Sequence, residues 1–315
     1  MLRAARRRRP PPAADVATGG GLGPDGLAVV DKAAGWTSHD VVAKARGILG
    51  TRKVGHSGTL DPDATGVLLL GVGKVTRLLR YLGLSTKTYT GVIVLGTATS
   101  TLDASGEVTG TWDMGAVGME DVRGAAAALT GEILQVPPMV SAVQVGGRRL
   151  HELAREGIEV ERDARAVTVH RFEVGEPVDT ECFPIEVECS SGTYIRSLVD
   201  DVGRALGGGA HLRDLRRTAI GSFAVGAAVV VEALDPARLL SPAAALRDLP
   251  SITVPTEVAA EVAHGKVLGL ERLGVADGDG PWPVLGTDGA LLAVYERHQG
   301  NMAKPSVVLV SPGQT

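Results

Sequence analysis

Aromatic side chains are scarce in this sequence. Phe, Trp and Tyr together make up 3% of its 315 residues, so a buried core must be assembled from Val, Leu, Ile and Ala. Only two cysteines occur, Cys182 and Cys189. In a strand-like stretch an odd spacing turns them to opposite faces, which argues against a disulfide framework or a zinc pattern. They read as buried free thiols in a reducing cytoplasm. No apolar run reaches membrane-spanning length. The Arg-rich start runs into Pro10, Pro11 and Pro12 rather than an apolar stretch, which does not match a secretory signal.

Familiar ligand-binding signatures are missing too. Gly73-Lys74 is followed by Val75, and Leu68 stands where a phosphate loop has its first glycine. Asp277-Gly278-Asp279-Gly280 lacks the further ligands of a calcium loop and reads as a turn. His151-Glu152 has no second His four residues on, and there is no Gly-x-Ser-x-Gly elbow. His170, His264 and His298 are isolated and read as structural.

A general excess of positive charge is also lacking. The net charge is −4, and Arg3, Arg6, Arg7, Arg8 and Arg9 crowd into the first nine residues. Without those five, 27 basic residues face 36 acidic ones, a balance of −9. Any nucleic-acid footprint must therefore be local. Residues 1–25 are rich in Arg, Pro, Gly and Ala and read as a disordered arm. Contact with nucleic-acid phosphates and a merely solvated tail both remain open for it.

What is present is a chain with 44% hydrophobic residues, long enough for one large unit and a smaller one. Leu27 to Val30 reads as a strand. Thr37 then caps a helix, with Asp40 three residues on, and Val41, Val42, Ala45, Ile48 and Leu49 follow at helical spacing until Gly50. A Gly/Pro-rich loop is expected over about 54–66. Helices are expected at 75–82, 119–129, 149–156 and 195–206. Strands are expected at 89–95, 139–145, 166–174 and 184–189, with a tight turn at Gly146-Gly147. The irregular order favours α+β with a mixed, mainly antiparallel sheet. From about residue 250, short strands near 282–286, 290–296 and 305–310 suggest a small β-rich unit. The expected division is an arm (1–25), a catalytic unit (26–248) and the small unit (249–315).

Residues 55–66 read Gly-His-Ser-Gly-Thr-Leu-Asp-Pro-Asp-Ala-Thr-Gly. Pro62 sets its own φ and restricts Asp61 to extended conformations. Gly55, Gly58 and Gly66 allow unusual backbone angles or close approach. On its residues alone the segment fits either a loop presenting one fixed carboxylate or an ordinary Asx-type turn.

This segment closely resembles the catalytic motif of the TruB family of bacterial tRNA pseudouridine synthases. Further blocks resemble that family in the same order. They are Asp31-Lys32 with Gly35, Thr37 and Ser38; Lys87-Thr88-Tyr89; Gln135 to Ala142; Ala154 to Val160; Ser191 to Arg196; and Gly209 to Leu212 with Leu215 to Arg217. The resemblance spans about residues 27–225. It implies a pseudouridine synthase fold with a small C-terminal RNA-binding unit similar to the PUA type. The implied activity is isomerisation of uridine 55 in the tRNA T-loop, breaking N1–C1′ and joining C5 to C1′ without cofactor or metal.

By the same resemblance Asp61 is the essential carboxylate, either adding covalently or deprotonating the sugar. Arg196 is the cation that keeps it ionised against the cost of burial. Tyr89 stacks on the target base, Tyr194 and Leu215 line its pocket, and His56 fills the place of the everted uridine. Candidate phosphate contacts are Lys32, Arg52, Lys53, Lys74, Arg77, Arg80, Arg148, Arg149, Arg213, Arg216 and Arg217. The implied partner is the T-arm stem-loop of tRNA, with a monomeric protein in the cytoplasm and no obligate protein partner or membrane. Gln144, His151 and Val140 depart from the family pattern, which touches RNA contacts rather than chemistry. Two other readings stay open: a guide-RNA-dependent synthase sharing the Asp loop, and a catalytically silent RNA-binding or tRNA-folding protein.

Overall fold

The computed structural model describes residues 23–311 apart from 142, 143, 151, 152, 154, 155 and 159. Most of the Arg-rich arm, His151 and much of the helix expected over 149–156 therefore lie outside the described residues. No helix among those described is long and apolar enough to cross a membrane.

The strands in chain order are β1 (Gly26–Lys32), β2 (Val54–Ser57), β3 (Thr65–Val72), β4 (Lys87–Leu95), β5 (Thr97–Thr99), β6 (Val108–Thr111), β7 (Gly131–Gln135), β8 (Gln144–Val145), β9 (Arg148–Arg149), β10 (Arg165–Val174), β11 (Cys182–Cys189), β12 (Ala210–Ile220) and β13 (Phe223–Ala224). The main helices of this part are α1 (Ser38–Ile48), α2 (Leu79–Gly83), α3 (Met119–Ala128) and α4 (Ile195–Ala205). Nine strands form one sheet along the path β1-β3-β12-β4-β11-β10-β7, with β2 on β3 and β13 on β12. The β3–β12 pairing is parallel and the others are antiparallel. This is the mixed, mainly antiparallel α+β sheet expected from the sequence.

Helix α1 starts where the sequence put it. The Thr37 side chain accepts from the Asp40 N–H, and the Asp40 carboxylate accepts from the Thr37 N–H in return, which satisfies two otherwise unpaired groups of the first turn. Its apolar stripe Val41, Val42 and Ala45 packs on Ala28, Val30, Leu68 and Leu70. The alternate residues Leu27, Val29, Val67 and Leu69 point the other way, into a core completed by Leu291, Val294 and Val307 of the C-terminal part. Because β3 is covered on both faces it reads as an unbroken apolar run with no alternation, and periodicity alone does not reveal it. On the rest of the sheet, α3 and α4 bury Val122, Ala126, Leu198, Val199 and Val202 against Ile93, Leu95, Val169 and Phe183. Each of these Val, Leu, Ile and Phe side chains contributes about 1.5–3 kcal/mol through burial, and Leu198→Ala would cost about 2–5 kcal/mol.

The helix expected at 75–82 is divided into a 3₁₀ stretch, Gly73–Leu78, followed by α2. Of the strand expected at 139–145, among the described residues only Gln144–Val145 is strand, and it pairs with Arg148–Arg149 across Gly146-Gly147. Both glycines have positive φ, as a two-residue hairpin turn requires.

A second sheet has the order β14-β16-β17-β18-β15, with β14 (Ile252–Thr253), β15 (Leu268–Gly269), β16 (Trp282–Leu285), β17 (Leu291–Arg297) and β18 (Met302–Val308), and carries helix α5 (Thr256–Ala263). It docks on the 3₁₀/α2 segment. Besides the shared apolar core, Arg77 donates to the Val308 carbonyl at 2.7 Å. The Tyr81 hydroxyl sits between Glu296 and Ser306.

Candidate active site

The loop carrying Asp61 joins β2 to β3 and is clamped from two sides. From the β1–α1 connection, the Lys32 ammonium donates to the carbonyls of Ala33, Trp36 and Pro62 at 3.1, 2.6 and 3.0 Å. Gly35 N–H donates to the Pro62 carbonyl. The Ser38 hydroxyl accepts from Leu60 N–H at 3.0 Å. From β12, Arg217 donates through Nε to the Val67 carbonyl at 2.7 Å and through Nη2 to the Gly58 carbonyl at 2.9 Å. Gly66 (φ 102°) lies so close to β12 that a Cβ there would meet the Arg217 carbonyl oxygen at 2.1 Å. Here a glycine is required. Lys32 and Arg217 were phosphate-contact candidates, yet each is 1% exposed. Their hydrogen bonds go to the loop backbone, and burial pushes the Lys32 ammonium down to about 8.

Held in this way, Asp61 meets Arg196 from the first turn of α4, Oδ2 to Nη2 at 2.9 Å. The Arg196 side chain is 5% exposed and that of Asp61 41%. The guanidinium is fixed by three further partners: the Thr101 carbonyl (2.9 Å), the Val140 carbonyl (2.9 Å) and Asp103 Oδ2 (3.4 Å). Asp103 is itself held through Oδ1 by the Thr101 hydroxyl and by the N–H and hydroxyl of Ser105. Burial pushes the Asp61 carboxyl above the usual carboxylate range, and the adjacent Arg196 cation opposes that rise.

Asp61, Arg196 and Leu215 form a wall shared by two cavities. One, of about 430 Å³, is otherwise lined by Asp103, Ser105, Val140, Arg213 and Asp214. The other, of about 290 Å³, holds Lys87, Tyr89, Tyr194 and Arg217. Leu215 reaches this wall because β12 bulges between Arg213 and Arg216, where Asp214 takes φ 56°. An added residue re-aims the side chain that follows it. Tyr89 comes from β4, whose buried residues alternate from Lys87 through Tyr89 to Leu95, and burial raises its phenol pKa. Tyr194 stands at the N-cap of α4. Its backbone is gripped by the buried Gln135, which accepts from the Tyr194 N–H at 2.7 Å and donates to its carbonyl at 3.0 Å.

Besides Lys32, two expected site residues stand away from this wall. His56, on β2, lines neither cavity. Its ring meets His39 edge-on at 5.3 Å, and Nδ1 is buried with no partner among the described residues. Burial, then His39 and Arg217, holds its pKa below the usual value. Arg77 also lines neither cavity and is engaged with the second sheet. Asp103 is not singled out by the sequence, and Gln135 and Lys87 stand there only inside motif blocks, without a role of their own. For Asp103 the available signal was Thr101-Leu102-Asp103-Ala104-Ser105, an Asx-turn pattern. For Lys87 it was the two-residue spacing from Tyr89 on one strand.

Comparison with known proteins agrees with this geometry. A family model described as "TruB family pseudouridylate synthase (N terminal domain)" matches residues 46–195, and one described as "tRNA pseudouridylate synthase B C-terminal domain" matches 196–260. The tRNA pseudouridine synthase B of Arthrobacter sp. (strain FB24) is 45% identical over 297 residues, covering 90% of this chain and 96% of the relative. That of Nocardia farcinica (strain IFM 10152) is 47% identical, covering 90% and 93%. A chain from the crystal structure of a Cbf5-Nop10-Gar1 complex superposes with a TM-score of 0.72 at 25% identity, covering 92% of this chain and 86% of that one. The sheet that presents Asp61, the ordered sequence blocks and the near full-length relatives agree, and the chain belongs to the TruB family of pseudouridine synthases.

Proposed function

We propose that the protein converts uridine 55 of tRNA to pseudouridine, acting alone on the T-arm stem-loop and using Asp61 as the reacting carboxylate. The observation that carries this is the Asp61–Arg196 contact of 2.9 Å in the wall of a cavity that Tyr89 also lines. Both named relatives are tRNA pseudouridine synthases B. The cavity is large enough for a single base beside Tyr89, so the target must leave its stack, at about a few kcal/mol. His56, on the strand leading into the catalytic loop, would occupy the vacated place.

With the nucleoside seated, the Asp61 carboxylate stands next to the sugar. The glycosidic pair leaves with N1. Asp61 then either bonds to C1′ or takes a proton from C2′. The uracil turns and C5 bonds to C1′, as the Asp61–C1′ bond breaks with its pair returning to the carboxylate or, on the other route, as Asp61 gives the proton back to C2′; C5 gives up its proton while N1 gains one, so the product is an isomer of the substrate. Arg196 keeps the carboxylate ionised and aimed. Leu215 and Tyr194 hold the base in place. Residues 26–248 serve as the catalytic unit and 249–315 as an RNA-binding unit similar to the PUA type, with the exposed Arg52 and Lys53 and the half-buried Lys74 touching phosphates.

The test is mass-sensitive mapping of pseudouridine in tRNA and in an isolated T-arm after treatment with wild type and Asp61→Asn. Conversion at one T-loop uridine by wild type alone is expected. Activity that required a guide RNA or added proteins, or an active Asp61→Asn, would overturn the proposal.

A further inference from the structure

The cavity beside Tyr89 contains a feature that the Asp61–Arg196 pair does not use. Lys87 and Tyr89 lie two residues apart on one face of β4 and both line that cavity. Arg217, opposite Tyr89 on β12, lies below them. Lys87 is 6% exposed and Arg217 1%. The two cations are close together: a Cβ built on Gly58 would stand 3.3 Å from Arg217 Nη1 and 3.6 Å from Lys87 Cε. Among the described residues neither has a carboxylate partner; their hydrogen bonds go to carbonyls and, from Arg217, to the Tyr89 hydroxyl. Lys87 Nζ donates to Gly83 O at 2.9 Å and Ser85 O at 2.7 Å, and Arg217 donates through Nε and Nη2. An ammonium has three donors and a guanidinium five. Lys87 therefore keeps its third N–H in reserve, and Arg217 has more donors than these partners use. Two buried like charges without a counter-ion are costly, and a site built this way favours an anion.

Uridine isomerisation generates one. When N1–C1′ breaks with its electron pair on N1, the detached uracil carries a negative charge shared by N1, O2, C5 and O4. When C5 bonds to C1′, that charge is consumed, and the proton leaving C5 is matched by one gained at N1. We infer that Lys87, backed by Arg217, is a catalytic residue that donates to the detached uracil anion and stabilises it while the ring turns. This rests on the isomerase reading above. Stabilisation of charge that exists only during the reaction raises turnover rather than affinity. Burial and the neighbouring Arg217 push Lys87 down to about 8. Its other titratable neighbours stay neutral there: burial pushes Cys189 of β11 up to about 11 and raises Tyr89.

The experiment is single-turnover conversion of saturating, pre-bound tRNA across pH by wild type, Lys87→Met and Lys87→Arg, with RNA dissociation constants and their salt dependence measured in parallel. Lys87 is charged below its pKa, so the wild-type rate should hold below pH 8 and fall as pH rises through it. Lys87→Arg should stay within a few-fold of wild type and lose that alkaline limb, which also separates Lys87 from Lys32, pushed to about 8 as well. Lys87→Met should lose on the order of a hundredfold in rate at unchanged affinity. A Lys87→Met enzyme at the wild-type rate overturns the inference. So does a loss carried wholly by affinity and salt response, which marks a phosphate contact. If Lys87→Met does not fold, an identical alkaline limb in Lys87→Arg and wild type overturns it. A wild type inert on tRNA removes the isomerase reading and this one together, whereas an active wild type matched by Lys87→Met removes only this one.

Discussion

Two Asp–Arg pairs connect distant segments of the catalytic sheet. Arg216 grips Asp31 with two hydrogen bonds of 3.1 and 2.7 Å, whereas Arg196 touches Asp61 with one nitrogen at 2.9 Å. By pair geometry alone the first is the better salt bridge. Their surroundings reverse the ranking. The side chains of Arg216 and Asp31 are 36% and 29% exposed, so water and salt screen them. Arg196 is buried, and two carbonyls and Asp103 hold its fork in place before any substrate arrives. The carboxylate it serves opens into a cavity. The difference teaches that the proposed catalytic pair is set apart by what fixes the cation and what the anion faces, not by the closeness of the pair.

The comparison can be broken most forcefully at Asp61. Asp61→Asn removes the only reacting group of the inner pair and should lower single-turnover conversion by about 10⁴-fold or more, with tRNA affinity and melting temperature close to wild type. Asp31→Asn, assayed identically, should convert at nearly the wild-type rate.

Arg196→Lys comes next. It keeps the charge but cannot reach the Thr101 and Val140 carbonyls and Asp61 together, and a loss of about a hundredfold in turnover is expected from misplacing the carboxylate. Arg196→Met also removes the cation that opposes the upward push of burial on Asp61. The reaction needs the ionised form, so activity holds above the Asp61 pKa and falls as pH drops through it. In Arg196→Met that acid limb should move to higher pH. A limb that stays put would show that Arg196 does not act on Asp61.

Asp103→Asn sharpens the distinction further. The Asx turn can survive the change, but the charge facing Arg196 is lost. About tenfold in turnover, equivalent to about 1.4 kcal/mol, should disappear without loss of tRNA affinity. The smallest effect belongs to the outer pair. Arg216→Lys and Asp31→Asn should each shift stability by no more than about 1 kcal/mol, measured by denaturant unfolding, with turnover unchanged.

Much of this contrast was legible in the residues. Thr37 with Asp40 announces a capped helix, the alternation from Lys87 to Leu95 announces a half-buried strand, and the ordered blocks around Asp61, Tyr89 and Arg196 point to one family. Other parts leave little local trace. Strand β3 is covered on both faces and shows no period. Strand β12 is interrupted by the bulge at Asp214, which breaks the alternation of its charged residues. Leu134 on the edge strand β7 is 75% exposed, so that strand lacks the inward apolar pattern that would mark it.

By itself the sequence determined, through its resemblance to one family, which side chains are proposed to carry the chemistry, and how each is held locally: Asp61 restrained by Pro62, Tyr89 placed on the inward face of its strand, and Arg196 opening a helix. Only the tertiary structure decided that Lys32 and Arg217 bind loop carbonyls rather than surface phosphates, that Asp103 backs Arg196, and that Lys87 shares the cavity of Tyr89. Local periodicity reports the exposure of one element at a time. Burial and charge pairing depend on neighbours far away in the chain, which only the packing of the sheet, its loops and α4 brings within reach.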